Sequence, residues 1–348
     1  MPEVLALNIT KYCKKIKKRL NITNYDYQNY LKSLFEIVVY EKGLDDKFIN
    51  LMDSNNNFRF YYNSIQYDNL FNLNDFDKSR NIEKIIITID FDYGHLNLNK
   101  LFLDCLMIKK IKFVQMKRTD FSSMKELFAN CRNLEEVNFD DINTRNVRDM
   151  SNMFENCSSL RTINFNKFST KKVININMMF AGCHSLKSFD FSIFNGDNVK
   201  SMDCIFQGCI NLESVNFSNF HPVNLESAHS IFCNCCSLKQ IDLSNFKYDK
   251  FHNVECMFVN CFSLEHINLS NFNTKNVANM QRLFDGCTSL KELNLSSLDL
   301  NPSKDMLLMF HDCFALETID FSNFSFDQPL EVLKSIFYGC PFLEEMIE

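Results

Sequence analysis

Residues 261–287 read CFSLEHINLSNFNTKNVANMQRLFDGC, and closely similar strings recur along most of the chain. In each of them a phenylalanine precedes a cysteine by three residues. The phenylalanines are 26 residues apart until the last, which follows after 27: Phe102, Phe128, Phe154, Phe180, Phe206, Phe232, Phe258, Phe284, Phe310 and Phe337. So regular a period predicts a solenoid, in which each unit buries its apolar side against its neighbours.

The period divides the chain into two parts. One step before the first clear repeat, Ile82, Ile85 and Ile87 fall on the positions that later hold strand residues. We therefore predict a repeat array of about ten turns over residues 81–348, and a non-repeat cap or small α-rich domain over residues 1–80. In that first part, the basic stretch Ile9–Leu20 and the apolar spacing of residues 25–51 indicate helices, whereas residues 54–69 indicate an Asn-rich turn with a strand.

Each unit predicts one short strand. After the cysteine comes an apolar pattern such as Leu264, Ile267 and Leu269, whose last two positions alternate with polar residues. That alternation is typical of a strand buried on one face. Ten such strands, stacked at about 4.8 Å, would make a parallel sheet on the order of 50 Å long.

The remainder of each unit predicts a very short helix. One column holds good N-cap residues: Ser123, Asp149, Asn175, Ser201, Ser227, Asn253, Asn279 and Asp305. Seven positions later stands a column of residues that tolerate the left-handed conformation closing a helix: Asn130, Asn156, Gly182, Gly208, Asn234, Asn260, Gly286, Asp312 and Gly339. Between these columns, Met150, Met153 and Phe154 have helical spacing.

The string C-x-S-L-x-x-I-N-L-S-N-F-N-T-x-N-V-x-x-M-x-x-L-F-x-G-C, which residues 261–287 follow, resembles the 26-residue repeat of the BspA-like leucine-rich repeat family. The resemblance covers about residues 98–348. It implies an α/β repeat fold: a leucine-rich-repeat solenoid with a parallel sheet on the concave face, short helices on the other side, and a mixed or helical N-terminal cap. It also implies a role in binding other proteins, and many members of the family are cell-surface proteins.

The recurring cysteine is interpreted as core. Free cysteine behaves as a small buried hydrophobe, and side chains in register on neighbouring strands hold their Cβ atoms farther apart than a disulfide prefers. The strongest candidate for a metal site is the cluster His229, Cys233, Cys235 and Cys236. Zinc usually requires two spaced ligand pairs, and no second pair appears, so we expect neither a metal nor a cofactor.

Composition and motifs argue against several functional classes. The net charge of −6 disfavours general nucleic-acid binding, which needs a basic surface. No apolar run is long enough to span a bilayer. The chain has no nucleophile-elbow, zinc-protease, P-loop or dinucleotide-binding pattern, and its seven histidines are scattered. The sequence therefore predicts a protein that is not an enzyme.

Three polar columns accompany the strands. The first alternates in charge from Lys187 to Glu317, which would fix the register of stacked strands. Another holds only Asn and Asp, from Asn138 to Asp320, and favours a structural role through amide hydrogen bonds between strands. The third varies most, and its outward side chains are the candidate partner-binding residues: Glu136, Thr162, Ser188, Ser214, Gln240, His266, Glu292 and Thr318.

These observations predict a monomeric interaction scaffold that binds a protein partner through its concave strand face. Because the N-terminus lacks the order of regions found in a secretory signal, we expect the cytoplasm, where fifteen cysteines stay reduced. The alternative is a surface or exported adhesin that leaves the cell by an unconventional route and binds host or matrix ligands.

Overall fold

The computed structural model describes residues 33–39, 57–62, 65–67, 85–90, 97–114, 116, 121–246, 250, 252–301 and 304–347. The basic stretch Ile9–Leu20 lies outside these residues, so the helix predicted there stays a prediction.

The described residues form thirteen strands and two α-helices. Four strands precede the repeats: β1 (Ser33–Val39), β2 (Asn57–Tyr62), β3 (Ile65–Tyr67) and β4 (Ile85–Asp90). Nine follow at the repeat period: β5 (Ile108–Phe113), β6 (Glu136–Asn138), β7 (Thr162–Asn164), β8 (Ser188–Asp190), β9 (Ser214–Asn216), β10 (Gln240–Asp242), β11 (His266–Asn268), β12 (Glu292–Asn294) and β13 (Thr318–Asp320). The helices are α1 (Leu330–Phe337) and α2 (Pro341–Ile347).

The first strands form an antiparallel sheet that leads into the solenoid. The strand order is β3-β2-β4-β1-β5-β6-β7, antiparallel as far as β5 and parallel from there. Ile87 of β4 lies opposite Phe35 and Phe60, so the expectation that this segment forms a solenoid strand is wrong. The helix expected at residues 33–39 is also wrong, because they form β1; the strand expected within residues 54–69 is confirmed. The boundary at residue 80 stays a prediction.

The parallel strands keep the 26-residue register, and each 26-residue turn of the solenoid is called a rung below. Glu136 lies opposite Thr162, and Gln240 lies opposite His266. Over the described rungs, the strand ladder is interrupted after β7, β9 and β11. Burial follows the same alternation: the central residue is buried in β8, β10 and β12 and partly exposed in β7, β9, β11 and β13. The 26-residue repeat is therefore overlaid by a two-rung alternation.

The side opposite the strands consists of turns, so the short helices predicted there are wrong for residues 121–324. Both Asn152 and Asn156 have left-handed backbones, with φ of 56° and 57°. The backbone N–H of Asn152 donates to the carbonyl of Asn177 in the next rung, at 2.9 Å. Because such bonds run between rungs, the turns form a ladder along the solenoid and do not propagate as helices.

The two cap columns keep their local roles without a helix. Asp149 Oδ1 accepts the backbone N–H of Ser151 at 3.0 Å, which is the bond of an Asx turn. Its column forms an unbroken row of parallel bridges from Ser123 to Asp305. The left-handed conformation predicted for the second column is confirmed at every position from Asn130 to Gly339.

The core is built on a ladder of phenylalanine rings. The ten rings from Phe102 to Phe337 stack rung on rung, with centroids 5.3–5.9 Å apart and interplanar angles of 17° or less. All ten are buried. Offset or parallel aromatic pairs at such distances add to the free energy gained by burial, which explains the high phenylalanine content.

The two helices follow β13. Backbone N–H groups of α1 bond within the helix, as from Leu333 N–H to the carbonyl of Pro329 at 3.2 Å. Its carbonyls at Ser335 and Ile336 accept N–H groups of the preceding rung, from Leu308 and Phe310. Helix α1 thus continues the ladder of bonds between rungs.

Candidate functional site

The eight candidate residues occupy the first position of strands β6 to β13, and this set is called the outward column. The registered pairing of the strands brings them onto one face. Seven of the eight are exposed, and Glu136 is half-buried. The strand alternation therefore predicts the placement of this column correctly; its role in binding is not tested by placement.

The outward column has unused hydrogen-bonding capacity. Among the described residues, no side-chain hydrogen bond or ion pair joins Ser214, Gln240, His266 or Glu292 to another part of the fold. Glu136 differs, since its Oε2 lies 2.8 Å from Nζ of Lys110. This hydrogen bond raises the pKa of the Lys110 ammonium. The first member of the column is thus engaged within the fold, whereas later members are available to a partner.

The Asn/Asp column has a structural role, as predicted, but mostly through a different bond. In every rung the side-chain oxygen accepts the backbone N–H two residues later, for example Ser244 to Asp242 at 2.8 Å and Ser322 to Asp320 at 2.9 Å. Asn and Asp can both make this Asx turn, which explains why they interchange. A bond between rungs also occurs, from Asn216 Nδ2 to Asp190 Oδ1 at 3.0 Å.

Two carboxylates of the Asn/Asp column stay ionised at neutral pH. Burial opposes the ionisation of Asp242, but hydrogen bonds from Ser244 and Asn268 outweigh it and lower the pKa of this carboxyl. The backbone N–H of Ser322 lowers the pKa of Asp320 in the same way. Both groups therefore carry a negative charge on the strand face.

A cleft of about 760 Å³ lies across β9 to β13. It is lined by the outward-column residues Ser214, Gln240, His266, Glu292 and Thr318, together with Asp242 and Asp320 and the amides between them. Its lining contains three carboxylates and neither lysine nor arginine. The cleft brings together five of the eight predicted residues and leaves out Glu136, Thr162 and Ser188.

A row of exposed apolar side chains precedes alternate strands of the cleft. Ile210, Phe262 and Phe314 are 41%, 43% and 58% exposed, and each precedes its strand (β9, β11 or β13) by four residues. We call these three residues the apolar row. These residues are not among the candidates predicted from the sequence. The sequence does contain a signal for them, because the position after the repeat cysteine is apolar in these three rungs and is Cys236 or Thr288 in the intervening rungs.

The cysteine column is buried, as predicted. The ten side chains from Cys105 to Cys340 are free thiols, each 0% exposed. Burial raises the pKa of the Cys209 thiol to about 12 and that of Cys157 well above its ordinary value. Such thiols stay protonated and unreactive at neutral pH, so the column supplies packing and not a nucleophile.

No group of three or more His, Cys, Asp or Glu side chains in the described part of the chain is placed to hold an ion. His229 Nε2 lies 3.2 Å from Ser230 Oγ, and its Nδ1 lies 3.8 Å from Glu255 Oε2. The second distance exceeds a hydrogen bond, and Ser230 is only 4% exposed. This Ser-His-Glu arrangement therefore presents no accessible nucleophile.

The two α-helices in the described part of the chain have eight and seven residues. Neither of them combines the length and the apolar character that crossing a bilayer would require.

The comparisons with known proteins agree with the repeat pattern. The family described as "Mycoplasma protein of unknown function, DUF285" matches residues 122–246 and 226–348, and the "BspA type Leucine rich repeat region (6 copies)" matches residues 52–151. Among solved structures, one similar chain comes from the "Crystal structure of TLR13-ssRNA13 complex", at 13% identity and a TM-score of 0.22. The similarity covers 67% of this chain and 42% of that one. No curated protein matches the chain.

The first family spans residues 122–348 with its two matches, which is more than half of the chain. The second family describes a leucine-rich repeat and matches residues 52–151. This protein belongs to the family described as "Mycoplasma protein of unknown function, DUF285", and the match of residues 52–151 to the BspA-type leucine-rich repeat supports its resemblance to BspA-like proteins.

Proposed function

We propose that this protein is a monomeric, non-enzymatic interaction scaffold that binds a protein partner through the cleft on its strand face. One observation carries the proposal: the outward column from Ser214 to Thr318 lines a cleft and has no side-chain partner in the described fold. The Asn/Asp column, in contrast, is used within its own rung. Extended repeat surfaces of this kind bind other macromolecules.

Site-specific photo-cross-linking tests this proposal. A photoreactive amino acid is placed at Gln240 or His266 in the cleft, and, as matched controls, at Lys125 or Glu155 on the turn side. Extracts of the producing cells are then irradiated with each variant, and the products are identified by mass spectrometry. We expect the two cleft positions to capture the same protein and the turn-side positions not to capture it. Equal capture from both faces would overturn the assignment.

We place the protein in the cytoplasm, and the partly exposed thiols support this location. Cys204, Cys236 and Cys256 are neither fully buried nor disulfide-bonded, and the cytosol keeps such thiols reduced. Protease treatment of intact cells tests it against a surface adhesin. Survival of the chain until lysis, beside an intact cytosolic control, supports the cytoplasm. Cleavage while that control survives supports the adhesin.

A further inference from the structure

We propose that the cleft over β9–β13 takes an extended, basic protein segment that runs along the solenoid axis and presents an apolar side chain at every third residue. This inference rests on the proposed function and specifies the chemistry of the partner. It follows from the charges of the cleft, from the apolar row that precedes three of its strands and from the spacing of the rungs.

The charges of the cleft call for a cationic partner. Asp242, Glu292 and Asp320 line it, and no lysine or arginine does. Glu292 has no side-chain partner among the described residues. The two aspartates use one oxygen each in their Asx turns, at 2.8 and 2.9 Å, and Asp242 also accepts a hydrogen bond from Asn268. A carboxylate oxygen has further acceptor capacity, so all three groups can pair with lysine or arginine side chains of a bound segment.

The apolar row supplies the second half of the surface. Ile210, Phe262 and Phe314 follow one another at intervals of 52 residues, which is two rungs. In the same rungs stand the acidic residues Glu213, Glu265 and Glu317, whereas the intervening rungs have Lys239 and Lys291 at this position. An apolar contact beside an acidic group thus recurs every second rung. A partner that fits must repeat an apolar and a basic side chain at the same interval.

The length of that interval selects the conformation of the partner. Two rungs of parallel strands span about 9.4–9.8 Å. Three residues of a polyproline II segment span about 9.3 Å. Side chains on one face of a β-strand repeat at about 6.8 Å, and seven residues of an α-helix span about 10.5 Å. The three-residue repeat of polyproline II therefore matches best, and this conformation is already ordered before it binds.

Fluorescence anisotropy with labelled synthetic peptides tests the inference on the full chain. The probe has four Leu-Pro-Lys units. One control peptide has four Leu-Pro-Glu units, and another has the composition of the probe with its leucines adjacent. We expect the probe to bind at least tenfold more tightly than either control and to weaken as salt is raised, because the contacts are ionic.

Paired variants place the binding in the cleft. Glu292→Gln with Asp320→Asn removes two charges, and the asparagine can still accept the N–H of Ser322, so the Asx turn is kept. Phe262→Ser with Phe314→Ser removes two members of the apolar row. Each pair should weaken probe binding at least tenfold. The matched control, Asp327→Asn with Glu331→Gln, makes the same charge change on exposed residues outside the cleft and should leave binding unchanged.

Three results would overturn the inference. The acidic peptide could bind as well as the probe, the cleft variants could bind like the control variant, or spermidine could displace the probe at equal charge concentration. The last result would indicate a small polycation and not a protein segment. If no peptide binds while His266 still cross-links a protein, the proposed function stands and only the partner chemistry is wrong. If both experiments fail, both proposals fall.

Discussion

The thiol of Cys209 donates a hydrogen bond to the carbonyl oxygen of Phe180 in the preceding rung, with Sγ and O 3.1 Å apart. That carbonyl also accepts the backbone N–H of Cys183 at 3.0 Å. The same Sγ–O bond recurs along the column, for example from Cys261 to Phe232 at 3.2 Å. A buried carbonyl has two lone pairs, and the cysteine uses the second. This hydrogen bond explains why the repeat has cysteine at a buried position where the apolar side chain of alanine would also be accepted.

Replacing one cysteine of the column should therefore lower the free energy of unfolding by more than the size of its side chain suggests. We expect Cys209→Ala to lower the free energy of unfolding by about 1–2 kcal/mol, because it removes a hydrogen bond and leaves a small void. Cys236→Ala is the matched control. Its thiol is partly exposed and lies 3.5 Å from the carbonyl of Asn234 near its own turn, so the expected loss is within about 0.5 kcal/mol. Urea unfolding followed by circular dichroism measures both, and equal losses would refute the bonding role.

The buried thiols also predict instability in alkali. Burial raises the pKa of Cys209 to about 12 and raises that of Cys183 and Cys287 well above the ordinary value. Above about pH 9 the unfolded chain releases these protons and the folded chain retains them. The stabilising contribution is therefore complete below that pH and is lost as the pH rises towards 12, by about 1.4 kcal/mol per unit for each thiol.

We expect the urea midpoint to be constant from pH 7 to 8.5 and to fall steeply from pH 9 to 10.5. Thiolate absorbance should appear together with the loss of circular dichroism, because ionisation requires unfolding. Thiolate formation in a chain that keeps its native spectrum would contradict the explanation.

A second hydrogen-bond pattern between rungs explains where serine replaces Asn or Asp in the column of N-cap residues from Ser123 to Asp305. Asp203 Oδ1 accepts the backbone N–H of His229 at 2.9 Å and the hydroxyl of Ser227 at 2.6 Å. In the next rung Asn253 makes the corresponding bond within its own turn, to Glu255 N–H at 2.8 Å. Ser227 does not accept the backbone N–H of His229 in its own turn, and Asp203 of the preceding rung accepts it instead.

Asp203→Ala should lower the free energy of unfolding by about 1–2 kcal/mol, since it leaves the His229 N–H without its acceptor. Adding Ser227→Asn should restore most of this loss, because the new side chain can make the Asx turn locally. A double-mutant cycle measured by urea unfolding tests the pair. Additive effects, without rescue, would show that the two groups act independently.

Particular residues show what the sequence could and could not predict. The strand alternation placed the outward column, and the Gly and Asn residues from Asn130 to Gly339 marked one left-handed column, because both depend on local chemistry. The spacing of Met150, Met153 and Phe154 fits a helix as well as it fits the observed turns. Bonds between rungs decide against the helix, and no single repeat encodes them. Which strands line the cleft is not encoded in a single repeat either, because the outward column has the same position in β6–β8, which do not line it.

Another left-handed column illustrates this limit and provides a last prediction. Its members are Lys100, Glu126, Asn152, Met178, Cys204, Ser230, Cys256, Arg282 and Leu308. Glu126, Met178 and Leu308 have φ of 55°, 54° and 56°, although their side chains disfavour that conformation. The ladder between rungs holds them there, as when Leu308 N–H donates to the carbonyl of Ser335 at 3.1 Å. Such strain costs on the order of 1–2 kcal/mol for a residue other than glycine.

Leu308→Gly should relieve that strain and so raise the free energy of unfolding by about 0.5–1 kcal/mol, even after the entropy that glycine adds to the unfolded chain. Leu307→Gly is the matched control, because Leu307 is 45% exposed and has no left-handed backbone. At that position glycine only adds entropy to the unfolded chain, and we expect the free energy of unfolding to fall by about 0.5–1 kcal/mol. Thermal unfolding of the two variants should therefore shift in opposite directions. If both shift downwards, the packing of the Leu308 side chain outweighs its backbone strain.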